Sequence, residues 1–141
     1  MVVAVGCSKS ETTSGNGYLD VTANNIKGTW RMESFESGKP LAEGSYYYIS
    51  FNRAERTFVS YDNTESMGLR KRSGRFDIVT DGAAVIYGDF DYSIGPSDWV
   101  HRYYVRNLTA ERMEWYAIDD ESINLTFVRA ELPEWIPTDE E

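Results

Sequence analysis

Gly28-Thr29-Trp30-Arg31-Met32-Glu33-Ser34 is the stretch that decides the fold. From Thr29 onward apolar and polar residues alternate, so Trp30 and Met32 share one face. A period of two belongs to a half-buried strand, not to a helix. The period recurs downstream. Tyr46–Phe51 puts Tyr47, Ile49 and Phe51 together, Thr57–Tyr61 is a short β-prone run, and Arg75–Ile78 alternates. Ala83–Tyr87 is apolar, and Trp99–Val105 aligns Trp99, His101, Tyr103 and Val105. Arg112–Ala117 groups Met113, Trp115 and Ala117, and Ser122–Arg129 groups Ile123, Leu125, Phe127 and Arg129. With the first stretch these make eight runs.

Turn chemistry separates the runs: Ser37-Gly38-Lys39-Pro40, Asn52–Glu55, Asp62-Asn63, Asp81-Gly82, Gly95-Pro96-Ser97-Asp98, Asn107–Ala110 and Asp119-Asp120-Glu121. Asp81-Gly82 is the sharpest hairpin signal. Short strands at regular spacing predict an antiparallel sandwich or barrel. A barrel is favoured because the presumed inner faces carry bulky aromatics: Trp30, Tyr47, Phe51, Phe76, Tyr87, Tyr103 and Trp115. The interior of a small closed sheet is filled by such side chains, or lined by them around one small ligand. Closure also removes the exposed edges of an all-β chain. Only Val21–Ile26 and the final tail have room for a short helical turn.

Composition bounds the function. A chain of 141 residues, 41% hydrophobic, builds one domain with one core. Net charge is −9, which argues against non-specific nucleic-acid binding. The last eleven residues carry −5 of it, and Tyr18–Ala130 only −4. A single Cys excludes an intramolecular disulfide framework, and one Cys with one His is too few for an ordinary structural zinc site. No stretch approaches the roughly 20 apolar residues of a spanning helix.

Gly28-Thr29-Trp30 resembles the G-x-W signature of lipocalins and related calycins. Three features agree with it. Val21–Lys27 precedes the triplet as a segment able to plug a barrel base, seven further antiparallel runs follow, and Arg129 closes the last run on the face of Phe127. The resemblance implies that Arg129 lies across Trp30, a buried cation–π contact worth on the order of 1–2 kcal/mol. It implies an all-β, eight-stranded antiparallel up-and-down barrel over Tyr18–Leu132, similar to lipocalin-like domains of bacterial envelope lipoproteins. Two departures stand out. Glu131–Glu141 is too short and Pro-broken for the helix that follows the last strand in lipocalins proper, and Glu36–Gly44 is too short for a two-helix lid.

Ala4-Val5-Gly6-Cys7 resembles a bacterial lipobox, in which cleavage precedes a Cys that is then lipidated. Ser8–Gly17 is polar and cannot bury a core, so residues 1–17 read as a lipobox remnant and flexible tether. The apolar part before Cys7 is shorter than a secretory signal and lacks a basic residue, so a start further upstream or a trimmed chain is expected. The implied address is the bacterial cell envelope, through a lipid anchor at Cys7, with the outer membrane as the expected membrane. Residues 133–141 form an acidic tail in which Trp135 is expected to fold back as a cap, a partner-docking tail being the alternative.

No convergent nucleophile, base and oxyanion donors are visible, so the chain is read as non-enzymatic and without cofactor or metal. His101 lacks catalytic partners in its run and reads as a satisfied interior or rim residue, its one functional use being hydrogen bonding to a ligand. Asp89-Phe90-Asp91 lacks the pattern of a calcium loop and reads as solvated acids. Arg70-Lys71-Arg72 is the basic cluster, either a solvated hairpin arm or a cationic rim for an anionic head group or anionic lipid. Ser66–Gly74 is expected to be a loop at one mouth. The aromatics have two readings: a packed filling, or a pocket for a small apolar or amphipathic molecule. The expected binding set is Tyr47, Tyr87, His101, Tyr103, Met113 and Trp115, with Arg70 and Arg72 at the rim. The alternative is a packed barrel serving as an interaction module for an envelope protein partner.

Overall fold

The computed structural model describes residues 18–35, 39–64, 68–92 and 95–136, so Cys7 and the tether lie outside the described residues. In chain order the elements are α1 (Ala23–Ile26), β1 (Gly28–Phe35), β2 (Lys39–Pro40), β3 (Tyr47–Asn52), β4 (Thr57–Asp62), β5 (Arg70–Asp81), β6 (Ala83–Tyr92), β7 (Gly95–Asp98), β8 (Tyr103–Arg106), β9 (Arg112–Ala117) and β10 (Asn124–Arg129). Eight of the strands form a ring in the order β1-β3-β4-β5-β6-β8-β9-β10, all antiparallel, closed by β10 pairing back onto β1. β2 and β7 are short additions on the ends of β1 and β6, outside the ring. Closure satisfies every edge of the ring by pairing, as an all-β chain of this length requires.

The eight runs read from the sequence correspond to the ring strands, with boundary corrections at β5, β6 and β8; β6 continues past the apolar run Ala83–Tyr87 to Tyr92, through Asp89-Phe90-Asp91. β5 is longer than expected, because Arg70–Arg75 pairs residue by residue with β4 instead of forming a loop. β8 is shorter, beginning at Tyr103. Its ladder with β6 has only two pairs, Val85↔Tyr104 and Ile86↔Tyr103, while the far end of β6 pairs with β7. Trp99 sits beside that junction, its N–H bonded to Gly88 O at 2.9 Å.

The base of the barrel is plugged. Thr22 caps α1 through its side chain, which accepts from Asn25 N at 3.1 Å. Ile26 and Trp30 are fully buried, and Trp30 Nε1 donates to Ile26 O at 2.8 Å. The Arg129 guanidinium lies 3.8 Å from the centre of a Trp30 ring, as the resemblance implies. It also donates to the carbonyls of Lys27 and Asn25 at the helix exit and to that of Ala110 in the β8–β9 connection. Above this plug Phe51, Phe76, Ile86, Met113 and Leu108 pack into a solid core.

Candidate functional site

The other half of the barrel is hollow. Strand alternation sends Tyr47, Phe58, Tyr103, Trp115 and Phe127 inward around a cavity of about 490 Å³. Met32, Phe35, Leu125, Phe90 and Trp99 complete much of the apolar wall, and strongly exposed Val100 marks where the cavity meets the surface. The aromatic rings brace one another. Trp99 stacks on Trp115 with centroids 5.9 Å apart, and Trp115 packs on Phe127 at 4.8 Å and on Tyr103 at 5.1 Å. Such a wall is stiff and offers apolar area with few polar anchors, the usual make-up of a small-molecule site.

The anchors cluster on one side. On β4 the alternation Phe58, Ser60, Asp62 faces inward, and on β5 so does Arg70, Arg72, Gly74, Phe76. Asp62 is fully buried. Its Oδ2 accepts from the Thr64 N–H and hydroxyl, and its Oδ1 lies 3.6 Å from Arg72 Nη2 and 3.7 Å from Arg70 Nε. Arg72 lines the cavity, with its guanidinium 4.5 Å from the Phe90 ring centre. Tyr47 belongs to the same cluster: burial pushes its phenol up, the Arg72 charge pulls it back, and the Asp62 charge pushes it up again. Burial, with smaller contributions from Tyr47 and Asp119, raises the Tyr103 phenol to about 12. Both hydroxyls are therefore neutral hydrogen-bond donors across the physiological range.

The expected binding residues thus divide. Tyr47, Tyr103, Trp115 and Arg72 meet on the cavity wall. Met113 does not line the cavity. It is fully buried in the solid core, and its Sδ accepts from Trp115 Nε1 at 3.3 Å. Tyr87 is on the outer face of β6. Its partner in the ladder is exposed Asp77, and the inward positions beside it belong to Ile86 and Gly88. The apolar run Ala83–Tyr87 gave no alternation from which to choose the face. Arg102 covers its ring at 4.4 Å. His101 also misses the cavity. Residues 99–102 are not strand, so the period of two does not carry through, and its Nδ1 pairs with Asp119 Oδ1 at 3.0 Å. Tyr87 and His101 border a separate outer depression of about 480 Å³ with Arg75, Asp77 and Asp89. Arg70 turns inward to Asp62, but the cavity lining includes only Arg72 of the pair. Trp135 packs against Tyr46, centroids 5.0 Å apart, outside the cavity lining rather than as a cap over it.

Buried Asp62 and the wall residues Phe58 and Phe90 join the site beyond the expected set. Alternation from Phe58 places Asp62 inward, so that signal was present.

A family model for the lipocalin-like domain matches residues 26–115, from the end of α1 through most of β9. The chain belongs to the lipocalin-like family. No curated protein matches it. The lipocalin-like barrel is a binding-type fold, and the family is generally non-enzymatic. Two structural marks of this lipocalin-like chain, Gly28 and Trp30, fall within the match, and Arg129 joins them by pairing across the seam of the ring.

Proposed function

We propose that this lipocalin-like protein binds one small apolar or amphipathic molecule inside its barrel, without catalysis, while held at the bacterial envelope through a lipid on Cys7. The observation that carries the binding reading is the cavity of about 490 Å³ walled by Tyr47, Tyr103 and Trp115. It lies within the range of roughly 300–1,000 Å³ typical of ligand sites. Its rings are already braced by one another, so binding does not have to order them, which favours affinity. The interaction-module alternative calls for a filled interior, and half of this one is open. The envelope address is supported by the sequence around Cys7 and the polar tether behind it.

Native mass spectrometry of the protein purified from its source organism tests the binding reading. The expected spectrum contains a noncovalent adduct of a small apolar or amphipathic molecule, lost on collisional activation. A spectrum of bare protein alone counts against it. The anchor is tested separately: Cys7→Ser, introduced into the gene with its full leader, should move the protein from the membrane to the soluble fraction. Unchanged membrane fractionation would make the lipobox reading wrong.

A further inference from the structure

Most of the cavity wall is apolar; its polar side chains are the hydroxyls of Ser45, Tyr47, Thr64 and Tyr103 and, among the described residues, one charged group, the guanidinium of Arg72 on β5. Arg72 has 14% of its side chain exposed, yet among the described residues no acceptor lies within hydrogen-bonding distance of its Nε. Among the described residues its nearest carboxylate, Asp62 Oδ1, stands 3.6 Å from Nη2, too far for a good hydrogen bond. Asp62 itself does not line the cavity, and its other oxygen is committed to Thr64. The carboxylate therefore sits behind Arg72 and offsets its burial without using up the fork of donors. Phe90 holds the guanidinium from the side, 4.5 Å from ring centre to Cζ, which restricts how the fork can turn. Tyr47, on the same wall, adds a neutral hydroxyl donor beside it.

A buried, incompletely bonded donor is costly, and an acceptor that completes it gains correspondingly. A guanidinium fork matches an oxyanion with two oxygens in one plane. We infer that the molecule bound in the barrel carries an oxyanion head, a carboxylate or a phosphate, received by Arg72 with Tyr47, while its apolar body lies against Phe58, Leu125 and Phe127. The inference rests on the binding reading above and assigns both the chemical class of the ligand and its orientation.

The test uses displacement of N-phenyl-1-naphthylamine, a neutral fluorescent probe, by ten-carbon competitors below their micellar concentrations at neutral pH. Decanoate and decyl phosphate should displace it at concentrations about ten-fold or more lower than decan-1-ol, the span of one net charge-assisted hydrogen bond. Decyltrimethylammonium should compete no better than the alcohol. The stronger of the two anions identifies the head group as carboxylate or phosphate. In Arg72→Met the ratio of anion to alcohol should fall to near unity, and in Arg72→Lys it should stay above unity. Should Arg72→Met not fold, as judged by near-ultraviolet circular dichroism, Arg72→Lys and the wild-type ratio decide. Equal displacement by anion and alcohol in the wild-type protein overturns the inference and leaves the binding reading standing. Failure of the probe and of every competitor to bind overturns both.

Discussion

Trp30 joins the base of the barrel to its seam. Fully buried, it donates to Ile26 O and lies under Arg129, so truncating it opens a cavity and removes the cation–π contact at once. Trp30→Ala should lower unfolding free energy by about 3–5 kcal/mol in urea titration. A loss under about 1 kcal/mol would count heavily against the role assigned to Gly28-Thr29-Trp30. Gly28 is constrained too: its φ is +101°, and an added Cβ would lie 3.0 Å from Arg129 Nη1. Gly28→Ala should cost about 1–3 kcal/mol, read as a lower melting temperature. Tyr103 makes a prediction in pH. Its folded phenol ionises near 12, while the unfolded one ionises near 10, so the unfolded state loses the proton first. The stability this contributes is fully present below about pH 10 and is lost as pH rises toward 12. Tyr103→Phe should flatten that alkaline decline in thermal melts, and an equally steep decline would contradict the assignment.

At the scale of elements, β5 shows how a strand hides charge. Arg70, Arg72, Gly74, Phe76 and Ile78 alternate with a period of two, and the register with β4 sets Arg72 opposite Ser60 and Arg70 opposite Asp62. The periodicity was legible in the sequence, but three consecutive basic residues read more naturally as a solvated arm. What sequence could not supply was the buried counter-charge across the ladder, which depends on the pairing of two strands. Asp62→Asn removes that charge while nearly keeping shape, and should destabilise by about 3 kcal/mol, measured as a fall in the urea midpoint. An unchanged midpoint would mean that the two arginines do not depend on it. Elsewhere the same limit applied. Alternation correctly turned Tyr47, Tyr103 and Trp115 inward because each lies in a true strand. It failed for His101, whose segment leaves the sheet, and for Tyr87, whose apolar run offered no contrast between faces.

Across the whole molecule, closure was legible and the extent of filling was not. Trp30, Arg129 and the eight runs together indicate a ring. Whether a ring is solid or hollow depends on how summed side-chain volumes meet in three dimensions. Here Met113 and Phe51 fill the half above the plug, and in the other half Phe58, Trp115 and Phe127 leave a cavity between them and the facing strands. Charge follows a similar division. The acidity belongs largely to the tail, with −5 in the last eleven residues, while the cavity presents a cation. The central claim is that this hollow half takes up one molecule. Fluorescence titration of the wild-type protein with N-phenyl-1-naphthylamine, beside Leu125→Trp to narrow the cavity, tests it most directly. One saturable site in the wild type, weakened in a folded Leu125→Trp, is the predicted result; no binding, or equal binding to both proteins, would contradict it.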